Sequence, residues 1–219
     1  MYLVTILVFV WAFRLAIYLG VRKKSEDYRY KNWRESWEAD GDCTYYMKSF
    51  FIVFMLQSVF SLIVNLSALF VNIFSQDNDI EWTDYTGAAV WLIGLLIESI
   101  ADAQLASHLS SPEPGSGKFI KTGLWRYSRH PNYFGEALIW WGIFIIACGL
   151  DYGWITVISP LTITLLLRFV SGVPFPEEKY KDNKEWQQYC RETNVFVPWF
   201  ATPEENEIKE EEQSKPEDE

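Results

Sequence analysis

Apolar residues gather in long blocks along this chain, and polar residues fill the stretches between them. That pattern belongs to helices that cross a membrane, not to helices that show one face to water. The blocks predict spans over Met1–Gly20, Lys48–Phe74, Trp82 to about Ser107, Tyr133–Leu150 and Trp154 to about Val170, the last broken by Pro160. The first lacks a basic leader and a small-residue cleavage pattern, so it reads as a span and not as a secretory signal. Between the first two blocks lies polar Val21–Met47, where Trp33 and Trp37 stand one helical turn apart, as on a membrane-surface helix. Pro174 and Pro176 predict a stop after the fifth block. Glu177–Arg191 then reads as a charged amphipathic helix, closed by the apolar run NVFVPWF. The fold class is all-α: a polytopic membrane helix bundle of about five transmembrane helices plus interfacial helices. Residues 1–200 form the membrane domain and residues 201–219 a separate tail.

Polar residues inside the blocks refine this picture. Arg14 costs about 2.5–3.5 kcal/mol at mid-bilayer on insertion scales. It therefore faces a partner or a wet cavity, or it snorkels to the headgroups. Gln57, Asn65 and Asn72 are expected to hydrogen-bond between helices. Glu98 and Asp102 are spaced i, i+4 on one face of the third helix, with Gln104 and His108 at the next turn. Two carboxylates there require a cation, water or a ligand. Pairing with Arg or Lys and facing a ligand are both open.

Composition adds the surroundings. Aromatics make up 17% of the 219 residues, with 11 Trp, and such rings concentrate at membrane interfaces. The net charge of −10 comes largely from PEENEIKEEEQSKPEDE, residues 203–219, too poor in apolar residues to fold alone. That balance argues against a nucleic-acid partner. Cys43, Cys148, Cys190, His108 and His130 lack the spacing of a metal site or a disulfide framework, so no metal is expected. No Gly-rich phosphate loop is present. Lys and Arg concentrate after the first helix, before the fourth and after the fifth, and are missing from the connections after the second and fourth. By the positive-inside rule the N-terminus then lies outside the cytosol and the C-terminus within it.

One stretch stands apart. Gly123–Glu136, GLWRYSRHPNYFGE, sets Arg126, Arg129 and His130 beside Trp125, Tyr127 and Tyr133, just before the fourth helix. Lys118 and Lys121 precede it; Arg168, Lys179, Lys181, Lys184 and Arg191 belong to the same charged side. Arginine forks suit phosphates, and aromatic rings stack a base or nicotinamide. Asn132 can both donate and accept toward a carboxamide or ribose. The positive-inside rule and interfacial aromatics also explain these residues without any ligand.

The motif resembles the C-terminal region of the steroid 5α-reductase superfamily, in particular its branch with the DUF1295 domain. The likeness covers roughly residues 8–200: WAFRLAIYLGVRKKSEDYRYKNWRESW, WLIGLLIESIADAQL, LLLRFVSGV and YCRETNVFVPW are similar to that branch as well. Members of known activity reduce a carbon–carbon double bond of a lipid with NADPH, bound by C-terminal helices and cytosolic loops. The resemblance implies cofactor contacts at Glu98, Asp102, Lys118 and Asn132. It further implies Arg168, Tyr189 and Arg191 on the phosphate and adenosine side. Arg126, Arg129, His130 and Tyr133 of the motif complete the expected cofactor-binding set. An apolar lipid substrate (sterol, polyprenoid or enoyl), the lipid bilayer as surroundings and the endoplasmic reticulum as location are implied too.

Two departures matter. The steroid reductases carry helices before the one that opens this chain, and their proton-donating tyrosine aligns with Trp11, whose indole is no general acid. Tyr18, Glu26 and Tyr30 are the replacements to consider. Two other classes compete: a membrane S-adenosylmethionine-dependent methyltransferase of the isoprenylcysteine or phospholipid type, with a related Arg-His-Pro-x-Tyr motif, and a non-catalytic member. Asn132 directly after Pro131 favours the reductase.

Overall fold

Hydropathy predicts helices, and the described residues form helices joined by turns, with no strand among them. The structure, a computed structural model, describes residues 2–22, 28–39, 41–75, 80–110 and 119–200. In order come α1 (Leu3–Arg22), α2 (Tyr28–Ala39), α3 (Asp42–Lys48), a π-helical stretch (Ser49–Met55), α4 (Leu56–Val64), α5 (Leu66–Phe74) and α6 (Trp82–Ser110). A 3₁₀ turn (Gly123–Arg126) leads to α7 (Pro131–Ala147). A second 3₁₀ turn (Gly153–Val157), α8 (Ile158–Leu165), a π-helical stretch (Leu166–Val170), α9 (Pro174–Glu178) and α10 (Lys184–Glu192) follow.

Among the described residues four helical runs are long and apolar enough to cross a membrane: Leu3–Val21, Asp42–Val64, Trp82–Ser110 and Gly153–Glu178. The protein is thus a polytopic membrane protein, with four such runs where about five were expected. The remaining one, α7, has 17 residues. At about 1.5 Å per residue it is about 26 Å long, at the short end of the range for a transmembrane helix.

The chain divides into two compact units, Met1–Trp91 with Ile139–Ile163, and Leu92–Leu138 with Thr164–Glu219. In the first unit, Thr5 on α1 donates to Asn72 Oδ1 on α5 at 3.0 Å, the interhelical bond expected of Asn72. Asn65 behaves otherwise: its Nδ2 donates to the Ser61 carbonyl of its own helix at 2.9 Å, at the break between α4 and α5. Beside that break Ser159 donates to the Val64 carbonyl. Pro160 does not break the fifth run. It sits in the first turn of α8, where a missing N–H costs least. That missing N–H leaves the Thr156 carbonyl to accept from Ser67 Oγ at 3.2 Å. Ser67 also lies 3.0 Å from Thr156 Oγ1, which donates to Gly153 O at 2.8 Å. Trp11 meets Trp140 edge-on with centroids 5.2 Å apart, and Trp33 and Trp37 stack at 5.7 Å.

The second unit corrects two further expectations. Pro174 starts α9 instead of preventing a helix, because first-turn N–H groups have no intrahelical partner. Glu177–Arg191 is not one helix: α9 ends at Glu178, and Asn183 opens α10 by accepting from the backbone N–H of Glu185 and Trp186. Phe119, Trp186 and Tyr189 form a buried aromatic core here, with Tyr180 packed against it.

Candidate functional site

The GLWRYSRHPNYFGE motif lies wholly in the second unit, and its local sequence explains how it is held. Gly123 has φ +64, and a Cβ there would come within 2.4 Å of Gln104 Nε2. Gln104 Oε1 in turn accepts from Leu124 N at 3.0 Å. The Trp125 indole donates to the Ala101 carbonyl at 3.1 Å, so α6 anchors the turn twice. From the other end, residues 193–199 strap the motif. Arg129 N donates to Asn194 O at 2.8 Å, Ser128 Oγ to Phe196 O at 2.8 Å, and Trp199 N to Tyr127 O at 3.0 Å. At Gly135 a Cβ would lie 2.6 Å from the Glu98 backbone nitrogen, so only glycine lets α7 approach α6 that closely.

That approach brings Asn132 to the acidic face of α6. Asn132 Nδ2 donates to Asp102 Oδ1 at 3.3 Å. Glu98 and Asp102 are 3% and 4% exposed. In this arrangement the amide nitrogen faces Asp102 and the amide oxygen faces away. That oxygen, Asn132 Oδ1, is buried, and no donor among the described residues reaches it.

Three ionisable residues, two of them close to Asn132 in sequence, form a group of their own. Glu177 Oε1 lies 3.1 Å from Arg129 Nε and 3.0 Å from His130 Nε2. Arg129 also donates to the Cys190 carbonyl at 3.3 Å. His130 stacks flat on Tyr133 with centroids 5.3 Å apart. Burial is the main reason the His130 imidazole is held below its ordinary value of 6.5. Arg129 and Arg168 add to that, and Glu177 opposes them. The ring is therefore neutral at pH 7, with the Nε2–H donated to Glu177.

The expected residues thus fall into groups. Asn132 meets Asp102, with Glu98 one turn away on α6. Arg129, His130 and Tyr133 are clustered, and Arg168 acts on His130 through its charge. Arg126 and Arg191 are on the exposed surface. Tyr189 is buried, its hydroxyl donates to the Trp125 carbonyl, and burial raises its pKa. The hydroxyl is thereby turned inward beneath the motif. Lys118, Glu26 and the 201–219 tail lie outside the described residues, as does the Tyr30 side chain. Tyr18 belongs to the other unit, where the Arg14 guanidinium stands 5.9 Å over its ring. Among the described residues no three His, Cys, Asp or Glu side chains form a metal-holding group.

Sequence reasoning missed Glu177 and the clamp made by Gln104. In sequence Glu177 reads as the first residue of a charged amphipathic helix. Its partners His130 and Arg129 are 47 and 48 residues away, and only its place directly after Pro-Phe-Pro sets it apart.

Comparison with known proteins agrees with the resemblance. A family model described as "Protein of unknown function (DUF1295)" matches residues 1–193. The 3-oxo-5-alpha-steroid 4-dehydrogenase 1 of Bos taurus is 30% identical over 116 residues, 53% of this chain and 42% of that protein. The protein of the same name from Rattus norvegicus is 29% identical over 114 residues, 52% of this chain and 40% of its own length. The matched stretch is therefore less than half of either relative. No solved structure matches the chain.

Proposed function

The chain belongs to the DUF1295 family, and on that premise we propose that it is a membrane oxidoreductase that reduces a carbon–carbon double bond of an apolar lipid with NADPH. The observation that carries the proposal is Asn132. Its carboxamide is fixed on one side by Asp102 and offers a buried acceptor on the other. A nicotinamide carboxamide has the N–H donors that such an acceptor lacks. A buried acceptor left unmet costs about 1–3 kcal/mol, so filling it with a ligand donor contributes directly to affinity.

The residues fit the cofactor in character as well. Asn132, oriented by Asp102 and supported by Glu98, would hold the nicotinamide end. Arg129, held by Glu177, with Arg168, would supply positive charge to the phosphates. Tyr133, stacked on neutral His130, offers an aromatic face. Lys118, Arg126 and Arg191 would extend the charged side toward the adenosine, and Tyr189 supports the loop from beneath. When bound, NADPH supplies the hydride. The protein's part is to orient the carboxamide, neutralise the phosphates and keep water out of a site whose acidic pair is nearly fully buried.

The relatives' names place a 3-oxo-steroid among the substrates of those proteins. For this chain we propose the broader class of sterol-, polyprenoid- or enoyl-type lipids, reached from the bilayer. Residues 1–200 would be the catalytic membrane domain and residues 201–219 an acidic tail. The charge pattern of the connections supports a cytosolic C-terminus, and the endoplasmic reticulum is the location proposed.

The test is thermal unfolding of the purified chain in detergent with NADPH, NADH or S-adenosylmethionine. A ligand present at 100 times its Kd adds about 2.7 kcal/mol of stability. Stabilisation by NADPH and not by S-adenosylmethionine is expected. Stabilisation by the methyl donor alone would replace this reading with a methyltransferase, and none by any would leave a non-catalytic member.

A further inference from the structure

The second unit carries an exposed apolar patch that the proposed function does not use. The strap that closes over the motif ends in Val197, Trp199 and Phe200, which are 56%, 67% and 75% exposed. Tyr127, whose carbonyl receives the Trp199 N–H, is exposed beside them. The Phe200 ring meets Tyr127 edge-on with centroids 6.4 Å apart and Trp199 at 6.1 Å, so the three rings form one surface. The level of this surface can be read from α6. There Leu92, Ile93, Leu96 and Ile100 are each about half exposed, the stripe that a span turns to lipid. Past Ile100 the exposed positions are Ala103, Ser107, Leu109 and Ser110, a mixture that suits headgroup depth. Trp125 hooks the motif turn to the Ala101 carbonyl, one residue beyond the stripe. The last apolar run reaches the same place, since Glu177 near its end holds His130 of the motif. Two runs thus deliver the motif and its strap to the edge of the hydrocarbon.

We propose that Val197, Trp199 and Phe200, with Tyr127, insert into the headgroup layer of the bilayer and anchor the strap, and through it the GLWRYSRHPNYFGE motif, to the membrane surface. Trp and Tyr suit that layer, because the ring enters the apolar zone while the N–H or hydroxyl stays with water and headgroups. A lipid surface fits the patch better than a protein does. Four side chains fall far short of the roughly 20–30 residues that a stable protein interface uses on each side. A bilayer takes single rings and has no fixed shape to match. Residues 201–219, which follow Phe200 directly, are rich in Glu and offer little apolar surface to lay over the rings. The Trp199 N–H bond to the Tyr127 carbonyl makes the anchor mechanical: what holds Trp199 in the interface also holds the motif turn.

The proposal is independent of the cofactor and is tested on the full chain in lipid vesicles. Cys43, Cys148 and Cys190 are replaced by alanine, and a spin label is attached at Val197→Cys, at Phe200→Cys or, for reference, at Glu185→Cys on the polar face of α10. All three positions are exposed, so the label leaves the fold in place. Oxygen concentrates in lipid and a nickel chelate in water. Their relative access should place the labels at Val197 and Phe200 about 5–10 Å into the boundary between headgroups and acyl chains, and the label at Glu185 in water. Replacing Trp199 and Phe200 together by serine should leave the Tm unchanged and raise amide hydrogen exchange across residues 194–199 several-fold in vesicles. Labels at Val197 and Phe200 as wet as that at Glu185 would overturn the proposal. So would shielding that appears only in native membranes, the mark of a protein partner, or unchanged exchange in the double variant.

Discussion

The hydroxyl cluster of the first unit and the amide–carboxylate cluster of the second are both buried polar groups, and they close differently. Around the break after α4, Ser67, Thr156 and Ser159 each end on a protein acceptor. Each bond meets a backbone need created by a helix break or a proline. Next to α7, Asn132 is bonded on its nitrogen side and left with a buried oxygen that no described donor meets. The first pattern suits a scaffold, and the second is what the proposed cofactor site requires. Unmet polar atoms occur in the first unit too, such as the Trp91 and Trp140 indoles. Those N–H groups sit on otherwise apolar rings, whereas Asn132 sits beside a carboxylate and next in sequence to the Arg129–His130–Glu177 group.

The comparison can be broken most forcefully at Gly135. A leucine there would drive a side chain into the α6 backbone at Glu98. The expected result is a loss of several kcal/mol of stability, on the order of an overpacked core or more, seen as a large fall in Tm and loss of NADPH binding together.

Next in size, Asp102→Ala should spare the fold and weaken NADPH. Removing the charged partner frees the Asn132 amide to rotate, and bonds to charged groups are worth about 1.5–3 kcal/mol, or roughly 10- to 100-fold in Kd. Equilibrium binding checks it.

Thr156→Val should show the opposite profile. It removes the hydroxyl that serves Ser67 and Gly153 and should cost about 1–2 kcal/mol of stability. The Kd for NADPH should stay within about 2-fold, since both units fold. A large change in Kd would erase the distinction between the clusters.

The smallest effect is in pH. The unfolded His130 takes a proton near its ordinary value of 6.5, and the folded one only at lower pH. The unfolded state therefore binds more protons in the window below 6.5. Stability should be complete above it and decline as pH falls through it. His130→Phe should flatten that part of a Tm-against-pH curve.

Much of this was legible in the sequence, because it depends on local order. Apolar blocks announced the spans, and the i, i+4 spacing of Glu98 and Asp102 placed both on one face of α6. Asn72 was expected to bond another helix, and it does. What was illegible depends on distant pairing or on length. Nothing near Glu177 in sequence shows that Arg129 and His130 will meet it. Gln104 clamps Gly123, which follows it 19 residues later in the chain. Asn65 and Pro160 look like defects of a span until their neighbours are seen to use the backbone groups they expose. Helix α7 read as a span because its composition is apolar, and its 17 residues put it at the short end of the lengths that cross a bilayer.

The most direct measurement is NADPH titration of the wild-type chain and Asn132→Ala in lipid nanodiscs, followed by energy transfer from the protein's tryptophans. The account predicts saturable binding in the wild type, and binding weaker by at least about 10-fold in Asn132→Ala with its Tm in the absence of ligand unchanged. Equal affinity in the two proteins would contradict it.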